Sequence, residues 1–106
     1  MKCLKFSEPL PGMILRREKD ITWRINDEKA IMPGDRLSLC STDGKEFGQA
    51  DVVWIKETTF GDLTPEDKAG HEKFGSDNEM CAAYSGYYKL KVTSRTSVKV
   101  IKFRVV

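Results

Sequence analysis

Metal-ligating side chains are scarce in this chain. Its 106 residues include one histidine, His71, and three cysteines, Cys3, Cys40 and Cys81, with no CxxC pair among them. A structural zinc site needs clustered thiolates or imidazoles, so the sequence predicts no metal and no other cofactor. The cysteines are odd in number and far apart, which reads as reduced thiols, with Cys40 and Cys81 in or near the core. Nothing in the spacing favours a catalytic pair between Cys81 and His71. No apolar run approaches the roughly 18 residues a membrane span requires. The start, Met1-Lys2-Cys3-Leu4-Lys5-Phe6, has no long apolar stretch behind its charge and does not read as a signal peptide, so the cytoplasm is the expected location. Charge of one sign is also lacking. A net charge of +2 is too small to identify a nucleic-acid binder on electrostatics alone.

What is present describes one globular domain over residues 1–106. Hydrophobic residues make up 40% and charged residues 32%, a balance that excludes both a disordered and a membrane-embedded chain. Arg16, Arg17 and Lys19 cluster together, Lys89 and Lys91 follow a tyrosine cluster, and Lys99, Lys102 and Arg104 mark the last segment. Acids gather at Asp62–Asp67 and Asp77–Glu79. This pattern fits a basic face opposite an acidic helical region, or equally a mixed solvated surface.

Periodicity and punctuation give the elements. Leu4–Phe6 reads as a short strand closed by Ser7-Glu8-Pro9. A short helix runs from near Pro11 to Glu18, with Ile14 and Leu15 inward. Ile21–Ile25 alternates as a strand, with Ile21, Trp23 and Ile25 on one face and Thr22 and Arg24 on the other. Pro33-Gly34-Asp35 is a turn before the strand Arg36–Cys40. Asp43-Gly44 is a hairpin signal, and the returning strand, Phe47–Thr58, has an all-apolar middle at Val52–Ile55, which predicts cover on both faces.

Thr64-Pro65-Glu66-Asp67 caps a helix limited by Gly70. Ser76-Asp77-Asn78-Glu79 is a capping box, followed at helical spacing by Met80, Ala83, Tyr84 and Tyr87. Tyr84 and Tyr87 share a face and read as core, leaving Tyr88 exposed. Two strands, Tyr88–Val92 and Val98–Val106, joined by Thr93–Thr96, end the chain. Strands outnumber helices and hairpins favour antiparallel pairing. The fold class is therefore α+β: a small, mostly antiparallel, partly open β-barrel with short helices packed over it.

The corner Glu18-Lys19-Asp20-Ile21-Thr22-Trp23-Arg24, followed by Pro33-Gly34-Asp35, resembles the signature of the ASCH domain in the PUA-like superfamily. The likeness continues through the long strand, the Leu63-Thr64-Pro65-Glu66 helix start and the closing Lys102-Phe103 strand. Arg17 stands where a glycine is common in that family, and Asp20 where a threonine is common. A carboxylate beside Lys19 would hold that lysine protonated.

The resemblance implies an RNA- or nucleoside-binding module, with Lys19, Thr22, Arg24, Arg17 and Trp23 as ligand-binding residues. One bacterial branch of the family is an amidohydrolase that removes the acetyl group from acetylated cytidine, using a lysine proton acceptor, a threonine nucleophile and a glutamate proton donor. Carried over, the lysine is Lys19 and the threonine Thr22. The glutamate falls after the Leu63–Asp67 helix start, at Glu72, between the neighbours His71 and Lys73 on which ungapped counting lands. A lysine acts as such a base only where burial depresses its pKa.

Each residue has a structural alternative. Lys19 is also a cation suited to a helix C-terminus, Thr22 a common strand residue, and Arg24 a partner for Asp27. Trp23 and Trp54 suit core or rim packing as well as base stacking. The expected partner is RNA or a modified nucleoside, with no membrane. A protein-interaction domain using the acidic helices is the remaining reading.

Overall fold

The computed structural model describes residues 1–106. Five strands form one curled sheet in the order β1-β3-β4-β5-β2. They are β1 (Lys2–Phe6), β2 (Ile21–Arg24), β3 (Arg36–Ser41), β4 (Glu46–Thr59) and β5 (Ser97–Val105). Three short helices cover this half-barrel: α1 (Leu10–Leu15), α2 (Pro65–Ala69) and α3 (Asp77–Tyr88). No helix is long and apolar enough to cross a membrane. Pairing is antiparallel for β3–β4, β4–β5 and β2–β5, and parallel only where β1 lies along β3. The mostly antiparallel half-barrel with helices over it is the architecture the periodicity predicts.

Strand β5 separates two cores. Ile101 and Phe103 point into a cluster with Leu4, Phe6, Ile14 and Leu37. Val98 and Val100 point into a second cluster with Trp23, Phe60, Met80 and Tyr84. A period of two along a strand delivers alternate residues to opposite faces, so a run apolar at most positions can serve two layers.

The helix ends follow from backbone accounting. Thr64 and Asp67 form a capping box at α2: the Thr64 hydroxyl accepts from the Asp67 amide, and the Asp67 carboxylate accepts from the Thr64 amide. At α3 the box is only half made. Ser76 accepts from the Glu79 amide, but the Glu79 carboxylate takes the Gly75 amide instead of that of Ser76.

Four local expectations are corrected. Helix α1 stops at Leu15 rather than Glu18, because Glu18 and Arg17 donate back to Met13 and Ile14 and close the end with Arg17 at φ 67°. Leu15 is consequently 51% exposed, and only Ile14 of that pair is buried. The middle of β4 is not covered throughout: the ladder to β5 slips between Val52 and Trp54, and the extra residue, Val53, turns outward at 47% exposure. Tyr88–Val92 is not a strand; α3 runs on to Tyr88 and ends in left-handed Lys89. Tyr87 lies on the solvent side of that helix, 65% exposed, whereas Tyr88 is half-buried and stacked on Tyr84.

The basic residues of β5 do not form a free cationic face. Lys99 pairs with Asp27, Lys102 with Asp20, and Arg104 approaches Asp51 at 3.8 Å. Of the two surface patterns the charges allowed, this is the mixed one.

Candidate functional site

Lys19 lies between the end of α1 and the first residue of β2, so strand alternation does not govern where its side chain goes. It turns inward and is 1% exposed. Its Nζ donates to Glu72 Oε1 at 2.5 Å and to the Ile21 carbonyl at 2.7 Å. That carbonyl belongs to the peptide group joining Ile21 to Thr22, which brings the amine beside the backbone of Thr22. An ammonium group has three donors, so one remains for the cleft.

Glu72 arrives from 53 residues away, and a backbone dock places it. The Gly70 carbonyl, at the end of α2, accepts from both the Asp20 and Ile21 amides, at 2.9 and 3.0 Å. The approach is so close that a Cβ on Gly70 would sit 1.7 Å from Asp20 Oδ1. Glycine is required here by proximity. The dock sets the chain after α2 against the start of β2, and Glu72 then meets Lys19.

Thr22 is buried on the cleft side of β2, opposite the face that sends Ile21 and Trp23 into the core. Its Oγ1 accepts from Arg24 Nε at 3.1 Å. Arg24 Nη2 donates to the Lys5 carbonyl, and the guanidinium lies 4.8 Å from the centre of the Phe6 ring. Lys19, Thr22, Arg24 and Glu72 therefore line one cleft of about 370 Å³. Its wall is aromatic, from Phe6, Tyr84, Tyr87 and Tyr88. A mostly apolar hollow with a few convergent polar groups is the usual form of a small-ligand site.

Burial sets the electrostatics. It pushes the Lys19 amine down to about 8, even though the Glu72 carboxylate opposes the shift. Burial alone would raise Glu72, but the charge of Lys19 and the hydrogen bond from it, with His71 alongside, outweigh burial and hold the carboxyl below its ordinary value. A neighbouring aromatic network supports the pair. The imidazole of His71 stacks on Trp23 with centroids 3.6 Å apart. Its Nδ1 faces only acceptors, the Glu72 carbonyl at 2.9 Å and Glu72 Oε1 at 3.1 Å. That nitrogen therefore carries the proton, and Nε2 accepts from the Tyr84 hydroxyl at 2.9 Å. Burial, aided by the Lys19 charge, lowers His71 to about 4, so it is neutral at physiological pH.

The other sequence candidates fall differently. Arg17 is outside the cleft: its Nη1 donates to the Val105 carbonyl, and it flanks a separate groove beside β5. Trp23 is buried, its indole N–H held by the Asp67 carbonyl and one face covered by His71. Asp20 does not pair with Lys19; its carboxylate takes Lys102 at 3.2 Å, and the ion-pair partner of Lys19 is Glu72. Asp27 pairs with Lys99 rather than Arg24. With both ring nitrogens engaged by Glu72 and Tyr84, His71 makes no pair with Cys81.

Sequence reasoning did not assign His71 and Tyr84 their place behind Glu72. Adjacency of His71 to Glu72 was the sole signal available.

A curled half-barrel with short helices over it and a polar cleft beside β2 is a small fold of the PUA-like type. No protein-family model and no curated protein matches the chain. Solved structures do. An ASCH domain from Lactobacillus crispatus superposes with a TM-score of 0.67 at 16% identity, over 90% of this chain and 69% of its own. The ASCH protein of Zymomonas mobilis gives 0.66 at 15%, over 96% of this chain and 66% of its own. A Pyrococcus furiosus protein solved by NMR gives 0.68 at 24%, over 99% and 96%. The chain has the ASCH-domain fold.

Proposed function

We propose that the cleft binds a modified nucleoside and hydrolyses an exocyclic amide on it, acetylated cytidine being the substrate the family resemblance suggests. The observation that carries this reading is the meeting of Lys19, Thr22 and Glu72 in one cleft, with Lys19 buried and its pKa depressed. A threonine hydroxyl becomes a nucleophile only beside a base. With a pKa near 8, about a tenth of Lys19 is neutral at pH 7, enough to accept a proton, whereas an ordinary lysine is almost wholly charged.

In this mechanism the Thr22 oxygen attacks the amide carbonyl while its proton passes to neutral Lys19. Arg24 already donates to that oxygen, so its guanidinium is a cation at hand for the negative charge that develops in the tetrahedral intermediate. The C–N bond then breaks, and the leaving amine takes its proton from Lys19 through Glu72. Glu72 is ionised at rest, so it serves as a relay rather than as a stored acid. Water activated by the same lysine attacks the acyl-threonine ester, releasing acetate and restoring the hydroxyl.

Incubation with N4-acetylcytidine should release cytidine, with kcat/KM rising with pH through a midpoint near pH 8 and levelling off above it. Thr22→Ala and Lys19→Met should each lower kcat by at least about a hundredfold. In Glu72→Gln the residual activity should reach its plateau at lower pH, because a neighbour that holds Lys19 protonated is gone. Turnover that survives in both Thr22→Ala and Lys19→Met would discard the mechanism.

A second reading, binding without chemistry, is favoured by one observation: the wall of Tyr84, Tyr87 and Tyr88 offers stacking surface whether or not Thr22 reacts. Filter binding of single-stranded RNA at two salt concentrations, with no hydrolysis, would select it.

A further inference from the structure

Cys3 and Cys40, far apart in sequence, are neighbours in space. In the parallel pairing of β1 with β3, Cys3 aligns with Ser38 and Lys5 with Cys40. Residues two apart on a strand share a face, so both thiols project from the same side of the sheet. The Cys3 thiol donates to the Cys40 sulfur at 2.8 Å, and the Ser38 hydroxyl lies 3.3 Å from that sulfur. Cys40 is buried, whereas Cys3 is half-exposed on the edge strand. Cys81, on α3, belongs to the other core layer.

The geometry points to a redox modification site: Cys3 and Cys40 close a reversible disulfide across the β1–β3 pair in the presence of a low-molecular-weight disulfide such as oxidised glutathione. The accessible Cys3 thiolate attacks one sulfur of the small disulfide and expels the other as a thiolate, which takes up the Cys3 proton. Cys40, as thiolate, then attacks the Cys3 sulfur of the mixed disulfide and expels the second small thiol, which takes the Cys40 proton. Two protein thiols and one small disulfide become one protein disulfide and two small thiols. Cys40 needs no access to solvent, because its step is intramolecular.

The bond would staple an edge strand held otherwise by a single neighbour. It would also bear on the cleft, since the Lys5 carbonyl and the Phe6 ring on β1 hold Arg24. Burial and Cys40 keep the Cys3 thiol above its ordinary range, against the pull of Lys29 and Lys5, so the exchange is slow near neutrality.

The folded protein, incubated with excess oxidised glutathione and quenched by alkylation, should lose the mass of two hydrogens. Peptide mapping should join Cys3 to Cys40 and find Cys81 alkylated, and excess reduced glutathione should reverse the change. Amide exchange over residues 2–6 should slow by about tenfold or more, and Tm should rise by roughly 10 °C. In Cys40→Ser a glutathione adduct should persist on Cys3; if that variant does not fold, a transient Cys3 adduct in the time course of the unaltered protein makes the same point. A lasting Cys3 adduct beside a free Cys40, a bond to Cys81 or to a second chain, or two unreacted thiols would each overturn the proposal.

Discussion

His71 shows how a single residue couples the site to the stability of the fold. It is the one histidine, buried between Trp23 and Tyr84, and its pKa falls from 6.5 to about 4. Below pH 6.5 the unfolded chain takes up a proton that the folded state refuses. The stability His71 supports is thus complete above pH 6.5 and is lost as pH falls toward 4, a loss on the order of 3 kcal/mol at most. Urea unfolding followed across that window should show the decline, and His71→Phe should flatten it. An undiminished slope in the variant would place the titration on other groups. Lys19 carries the same sign at higher pH: held near 8 against 10.5, it adds stability only as pH rises through that interval. The site thus retains a buried cation at neutral pH that a methionine would spare.

At the scale of elements, two backbone positions control how the site is assembled, and they respond oppositely to substitution. Arg17 occupies the left-handed position that ends α1, where glycine is common in the resembling family. Arg17→Gly should therefore stabilise the fold by up to about 1 kcal/mol, less what its contact with the Val105 carbonyl contributes. Gly70→Ala should do the reverse, since its Cβ would collide with Asp20 where Gly70 docks on the Asp20 and Ile21 amides. We expect it to cost roughly 1–3 kcal/mol and to lower the proposed turnover of acetylcytidine further than the stability loss explains, by moving Glu72 away from Lys19. Paired urea titrations and kinetics check both; a neutral Gly70→Ala would remove the dock from the account of the site.

The whole molecule is a half-barrel whose centre and edges differ in exposure. Strand β4 sits in the middle of the sheet, paired on both sides, while β1 and β2 are the edges. Local opening costs least where a strand has one neighbour. Hydrogen exchange of the reduced protein should therefore be slowest in β4 and β5 and fastest among the strands in β1. Uniform protection over all five would contradict this ordering. Strand β2 is shielded more than its edge position suggests, because the Gly70 dock covers its start and Trp23 anchors it to α2. That shielding bears on the cleft, since β2 carries Thr22 and Arg24.

Local physics was legible in the residues alone. The alternation of Ile21, Thr22, Trp23 and Arg24, the Asp43-Gly44 hairpin and the Thr64 cap each act within a few positions, and each stands as read. The family resemblance of the corner also pointed to Lys19 and Thr22, and to a glutamate for which Glu72 lay between the two positions that ungapped counting reached. Where the reading failed, the deciding contact was distant. Only the folded chain pairs Lys19 with Glu72, 53 positions on, and turns Asp20 to Lys102. Only the bulge in β4 exposes Val53, and only the packing of α3 buries Tyr84 while leaving Tyr87 in solvent. Alternation and capping energies are settled between near neighbours, whereas a buried charge takes whichever partner packing brings within reach. In this protein that packing is the junction of two hydrophobic clusters across β5, together with the close approach at Gly70.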